Sequence, residues 1–182
     1  MANNCDNQVR IYGTPDVLKT LFDKLIIKET EGLFTDNYQD LFESVEDVDD
    51  WGSKWQMINI DYSEGDDIMF VNGDSAWGPA LGFWEKLSKD YNVDIDLSYS
   101  EPGMNFAGKT SWSCGDMTCN DEFTYYEYLY NEDNDYFWDE IGYLSECYTL
   151  TEIQETLGDT WGYLTEEEKS KVSQIQSERF VE

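Results

Sequence analysis

Three runs of carboxylates carry whatever chemistry this chain performs: Glu46, Asp47, Asp49 and Asp50; Glu64, Asp66 and Asp67; and Glu132, Asp133, Asp135, Asp139 and Glu140, with Asp121, Glu122 and Glu127 leading into the third. Carboxylate oxygens are hard ligands, so such runs are chemically suited to Mg²⁺ or Ca²⁺. None has the register of the twelve-residue calcium loop, whose central Gly and terminal Glu are missing. With 40 Asp and Glu among 182 residues, runs of this kind also arise without any site. The chain has no His, which removes the commonest general base near neutral pH and the commonest metal ligand. No nucleophile motif replaces it. The expectation is therefore no catalytic residue, no metal and no cofactor.

The same carboxylates have a geometric use as phosphate substitutes. Alternate positions on a strand lie about 6.6 Å apart, and i, i+4 positions on a helix about 6 Å apart. Phosphates along a nucleic-acid strand are spaced by a comparable distance, and an Arg fork accepts a carboxylate bidentately much as it accepts a phosphate. A folded row of carboxylates can thus engage the Lys and Arg residues that a basic groove holds ready for DNA.

Folding is what the third run adds. Between Thr110 and Glu168 there are sixteen acidic residues, no Lys or Arg, and thirteen Phe, Tyr or Trp. An acidic stretch without apolar residues stays disordered, whereas this one has aromatic residues every few positions with which to build a core. Phe137, Trp138 and Tyr143 are the residues expected to order the 133–140 surface. The whole chain shares the bias: 11 basic against 40 acidic residues leave a net charge of −29. Direct binding to DNA, RNA or an anionic membrane is disfavoured by long-range repulsion.

No segment approaches the roughly 18 to 20 continuous apolar residues of a membrane helix. The opening Met-Ala-Asn-Asn-Cys-Asp-Asn has neither the basic nor the apolar region of a secretory signal, so a cytosolic setting with reduced cysteines is expected. Cys114 and Cys119 are separated by four residues and have no second pair of matching spacing to complete a zinc site.

The elements that must position the acidic runs follow from periodicity. Val9–Tyr12 reads as a short strand ended by Gly13, and Thr14-Pro15-Asp16 opens a helix that carries Val17, Leu18, Leu21, Phe22, Leu25 and Ile26 to about Lys28. Residues 29–50 are irregular and acidic, with Leu33, Phe34, Leu41 and Phe42 as tethers to the core. Gln56–Tyr62 and Ile68–Asn72 read as a hairpin around Ser63–Asp67. Gly78-Pro79 starts a second helix, and Val93–Tyr99 alternates as a half-buried strand. The order over residues 8–100 is β-α-β-β-α-β, the split βαβ arrangement of α+β, ferredoxin-like folds, with two helices on one face of an antiparallel sheet.

Further on, Phe123–Tyr130 is aromatic and β-prone and reads as an extension of the sheet or a separate hairpin. Asp135–Tyr143 is ambiguous between strand and helix. Leu150–Leu157 and the stretch after Thr165-Glu166-Glu167-Glu168 read as capped helices. The C-terminal extension, residues 110–182, is expected to be a mixed α/β segment packed on a ferredoxin-like domain of residues 1–109.

Four motifs sharpen the first domain. Asn3-Asn4-Cys5-Asp6-Asn7-Gln8-Val9-Arg10-Ile11-Tyr12-Gly13, the Trp51-Gly52-Ser53-Lys54-Trp55 box, the Ala76-Trp77-Gly78-Pro79 turn and Tyr99-Ser100-Glu101-Pro102-Gly103-Met104-Asn105-Phe106-Ala107-Gly108 resemble the YubB-type ferredoxin-like domain of plasmid and phage proteins. The resemblance covers about residues 1–109. It implies the fold and a mobile-element setting, and it carries over no catalytic residue.

Together these readings lead to an expected function and two alternatives. The first is a small acidic nucleic-acid mimic that occludes the DNA-binding groove of a host defence nuclease of restriction or CRISPR type. Its main contact would be residues 121–140, with 46–50 and 64–67 as secondary contacts. The alternatives are a protein–protein adaptor that uses exposed aromatic residues and, further off, a metal-dependent enzyme.

Overall fold

In the computed structural model, which describes residues 3–179, the chain divides into two compact units, Met1–Glu122 and Phe123–Glu182. Met1 and Ala2, the start of the stretch read above for a signal, lie outside the described residues.

The first unit is built on β1 (Asn4–Tyr12), whose strict alternation sends Cys5, Asn7, Val9 and Ile11 inward and Asp6, Gln8, Arg10 and Tyr12 outward. It pairs antiparallel on one side with β4 (Ile68–Ala76) and on the other with β5 (Asp94–Glu101). β4 in turn pairs with β3 (Trp55–Asp61), and β3 with the two-residue β2 (Leu33–Phe34). The central order β3-β4-β1-β5 is that of a ferredoxin-like fold. Helices α1 (Pro15–Glu31) and α2 (Leu81–Tyr91) cover one face of it: Leu18, Leu21 and Leu25 of α1 and Phe83, Trp84 and Leu87 of α2 share one core with Val9, Ile11, Val71, Ile95 and Leu97. Pro15 sets the first turn of α1 as its sequence predicts, although the Thr14 hydroxyl makes no capping bond.

The sheet continues past the four strands. β6 (Phe106–Ser113) pairs antiparallel with β5, and β7 (Asp116–Phe123) closes a seven-stranded order β2-β3-β4-β1-β5-β6-β7. The compact unit therefore runs to Glu122 rather than to residue 109. The connection between β6 and β7 is a two-residue turn in which Cys114 (φ 51°) and Gly115 (φ 91°) are both left-handed, the type I′ geometry that matches strand twist.

The second unit is built from helices α3 (Tyr125–Glu132), α4 (Asn134–Cys147), α5 (Leu150–Leu157), α6 (Asp159–Tyr163) and α7 (Glu166–Arg179). Residues 125–130 are thus helical, against the expectation of strand. The Thr124 side chain accepts a hydrogen bond from the Glu127 amide, and Tyr125, Tyr126 and Leu129 fall on one buried face. Asp135–Tyr143 resolves as part of α4. The expected core of aromatic residues is present: Tyr125, Tyr126 and Phe137 pack with Leu129, Ile141, Leu144, Ile153, Leu157, Leu164 and Val172. Thr149 with Glu152 and Thr165 with Glu168 form reciprocal caps at α5 and α7, and those hydrogen bonds hold both carboxyls below the usual range.

The acidic loop of residues 35–54 is held by cations on the helices. Lys28 bonds Asp40 at 3.0 Å and Glu31 at 3.1 Å. The Lys86 side chain, only 7% exposed, bonds Asp47 at 3.0 Å and Asp90 at 2.9 Å and lies 5.8 Å from the Phe42 ring centre. Leu33, Leu41 and Phe42 are buried as expected, while Phe34 is exposed. Lys86 and Lys89 together hold the Asp47 carboxyl below its ordinary value.

Two predictions follow from this packing. Lys86→Met keeps the aliphatic stem but strips both carboxylates of their shared cation. It should cost about 1–3 kcal/mol at pH 7 by denaturant unfolding, less than for a fully buried pair because both carboxylates reach water. A depressed carboxyl stabilises above its unfolded value and loses that contribution as pH falls through the folded one. The gap between wild type and variant should therefore be full at neutral pH and shrink below roughly pH 4. A gap that is constant with pH would assign it to packing instead. Separately, a Cβ on Gly82 would collide with the Asp50 carbonyl, whereas Gly162 in α6 has open space around it. Gly82→Ala should lose about 1–3 kcal/mol, and Gly162→Ala should be neutral or gain about 0.5–1 kcal/mol.

Candidate functional site

The fifteen acidic residues singled out from the sequence fall on five separate segments. Glu64, Asp66 and Asp67 form the exposed turn between β3 and β4, where the Asp67 carbonyl accepts from the Gly13 amide at 3.1 Å. Asp47, Asp49 and Asp50 precede β3 and line, with Glu85, Lys86 and Lys89, an open groove of about 260 Å³. The two secondary runs do not converge, because they flank opposite ends of the β3–β4 hairpin. Within the run before β3, Asp47 is engaged by Lys86 and Lys89, and Asp50 accepts from the Gly52 amide at 2.8 Å. Asp49 alone of the three makes no side-chain hydrogen bond among the described residues.

The main contact expected at 121–140 is divided between the units. Asp121 and Glu122 are exposed on β7 in the first, where the Cys119 thiol lies 3.3 Å from the Asp121 carboxylate. That contact raises the Cys119 pKa. In the second unit Glu127 and Glu132 belong to α3. Asp133 is exposed, and its side chain accepts from the Tyr136 amide at 3.1 Å as the N-cap of α4. Asp135 and Asp139 are exposed one helical turn apart on α4, with the half-buried Glu140 beside them. Burial first, then the Glu140 charge, raises the phenol pKa values of Tyr125 and Tyr126.

Tyr143 was expected to order this surface and instead stands 62% exposed, as Tyr136 does at 47%. Asp135, Tyr136, Asp139 and Tyr143 share helical spacing, so α4 presents a mixed stripe of carboxylates and phenols. The signal for it was the 3.6-residue period, hidden while the segment's element type stayed open. Phe137 is fully buried and Trp138 half-buried, with the Lys171 ammonium 3.6 Å from the centre of the Trp138 ring. Among the described residues no three of His, Cys, Asp or Glu converge as a metal ion requires, and the four cysteines are free. No helix among them is long and apolar enough to cross a membrane.

The four motifs meet at one end of the sheet, and their contacts there are architectural. The Asn7 side-chain amide donates to the Ser75 hydroxyl at 2.8 Å, which donates to the Gly78 carbonyl at 2.8 Å. Ser53 donates to the carbonyls of Trp55 and Ala76 and accepts from the Ala76 amide. Glu101 is buried and accepts from the amides of Gly103 and Met104. Burial, then the charges of Asp6 and Glu101, pushes the Cys5 thiol up to about 12, so it is an inert core group. Trp51 stacks on Phe42 at 5.8 Å, and Trp84 is buried. Trp77 stands apart, 55% exposed and left-handed at φ 68°. Trp51 and Trp84 thus belong to the core.

Residues 50–137 match the family described as a ferredoxin-like domain in Api92-like protein. No protein among those with curated functions matches the chain. A solved structure of the protein api92 from Yersinia pseudotuberculosis is 22% identical over 37% of this chain, with a TM-score of 0.32. The aligned part spans 23% of that longer chain. Together with the strand order and the shared helical face, the family match places a ferredoxin-like domain in this protein.

Proposed function

We propose that this chain is an acidic nucleic-acid mimic, of the YubB-type mobile-element class, that occludes the basic groove of a host DNA-binding defence enzyme of restriction or CRISPR type. The reading is stoichiometric rather than catalytic. One observation carries it: α4 holds Asp135 and Asp139 exposed on one face, on a folded helical unit, within a stretch that has no Lys or Arg from 110 to 168. Fixed carboxylates with no neighbouring cation in the sequence leave their acceptor oxygens to a partner. Preorganisation lowers the ordering cost that a disordered acidic tail would incur on binding. The secondary runs contribute less, because Asp47 and Asp50 already satisfy groups of their own chain.

A second reading has its own observation. Tyr136, Tyr143, Tyr148 and Tyr163 are 42–62% exposed in the same unit, and exposed phenols are the commonest anchors of protein interfaces. In an adaptor the aromatic residues supply the affinity and the charge only solubility.

Salt and charge reversal separate the two. Affinity for a partner captured from host lysate should fall by about tenfold or more between roughly 50 and 200 mM salt if phosphate-like contacts dominate. Asp135→Lys, Asp139→Lys and Glu140→Lys combined should abolish competition with duplex DNA for that partner while circular dichroism stays native. Asp133 is left intact because its loss would uncap α4. A folded triple variant that still displaces DNA as well as wild type would remove the mimic reading. Loss of binding on Tyr136→Ala with Tyr143→Ala at unchanged salt dependence would put the adaptor in its place.

A further inference from the structure

Loop residues 41–44 border a groove against α1 and α2 of about 440 Å³, a volume in the range of small-molecule sites. Its apolar part is Leu41, Phe42 and Tyr91, and its charged part is Lys24 and Lys86 with Glu43 and Asp90. Lys86 is committed to Asp90 at 2.9 Å and to Asp47 at 3.0 Å. Lys24 and Glu43 have no such commitment. Of the five lysines on α1 and α2, the other four each bond a carboxylate. The Lys24 ammonium meets only neutral oxygens, the Tyr91 hydroxyl at 2.8 Å and the Leu41 carbonyl at 3.4 Å. The Tyr91 hydroxyl itself donates to the Leu41 carbonyl at 2.6 Å, which ties ring and loop together. An ammonium has three donors, so one is left over. Glu43 is exposed, and its carboxylate bonds no group among the described residues.

One groove thus holds an ammonium and a carboxylate that do not bond each other, beside an apolar wall. Charge decides what fits it. A net charge of −29 repels anions at long range, so Lys24 alone is a poor lure for one. A simple cation meets forty carboxylates and has no reason to choose Glu43. A small zwitterion is net neutral, escapes the long-range repulsion, and can give each of the two groups an opposite charge at short range. We propose that this groove binds a small zwitterion with an apolar body, of the α-amino acid class. Its carboxylate lies on Lys24, its ammonium on Glu43, and its side chain against Leu41, Phe42 and Tyr91. The site lies wholly within the first unit, is distinct from the α4 stripe and does not rest on the occlusion reading.

The probe is L-phenylalanine, titrated into the full chain and followed by the NMR shifts of the amides at residues 41–44 and 91, which should saturate. Phenylacetate lacks the ammonium and phenethylamine the carboxylate, and each should bind about tenfold or more weakly. These comparisons use the unaltered protein, so they do not depend on a variant's folding. Lys24→Met keeps the aliphatic stem and should erase the advantage of phenylalanine over phenethylamine. Glu43→Gln should erase its advantage over phenylacetate, with circular dichroism native in both variants. The Asp135, Asp139 and Glu140 reversal should leave phenylalanine binding unchanged, and Lys24→Met should leave DNA competition unchanged. Phenylacetate binding as well as phenylalanine would reduce the groove to an anion contact at Lys24 and overturn the proposal. Equal binding of phenethylamine would reduce it to adsorption of a cation by an acidic surface. Shifts that do not saturate, or affinity that survives both substitutions, would equally remove the site.

Discussion

Self-repulsion among forty carboxylates with eleven cations to offset them is the constraint that arranges this molecule. The two units meet it differently. In the first, cations on α1 and α2 gather the acidic loop: Lys28 takes Glu31 and Asp40, and Lys86 takes Asp47 and Asp90. Burial opposes the Lys86 charge, but the two carboxylates more than offset that, and its pKa is raised. The second unit has almost no cations and uses backbone dipoles instead. Each of its helices carries an acid in the first turn, at Glu127, Asp135, Glu152, Asp159 and Glu166–Glu168. There the unpaired amides of the helix start present partial positive charge. Short helices multiply such starts, which gives a physical reason for an acidic, aromatic segment to fold as several of them rather than as a sheet.

That reason is also why the sequence misleads at residues 123–130. Aromatic residues favour strands when they pack on a pleated, half-buried surface, and by type alone this stretch qualifies. The cap and the period say otherwise. Thr124 lies three residues before Glu127, the spacing of a helix start, and Tyr125, Tyr126 and Leu129 share a helical face. By contrast the first hundred residues were legible almost throughout, because period-2 alternation in β1 and β5 and period-3.6 spacing in α1 and α2 each bury a single face. The β6–β7 hairpin was missed because its signal is the Cys114-Gly115 pair, and cysteine rarely takes the left-handed conformation its turn requires.

Of the acidic positions, their exposure was legible and their individual duties were not. Asp133 caps α4, Asp50 holds the Gly52 amide, and Asp47 is bound to two lysines. Each duty depends on a partner distant in sequence or on where a helix begins to within one residue, and composition specifies neither. What remains after those duties is a smaller set, in which Asp135 and Asp139 stand exposed one helical turn apart on α4.

The α4 pair shows the character of such carboxylates. On α4 the exposed groups are side-chain oxygens, whose attraction is long-ranged, screened by salt and tolerant of geometry. A single excess of acid is thus met by lysines in one unit and by helix starts in the other, and what each carboxylate can offer depends on the backbone that fixes it.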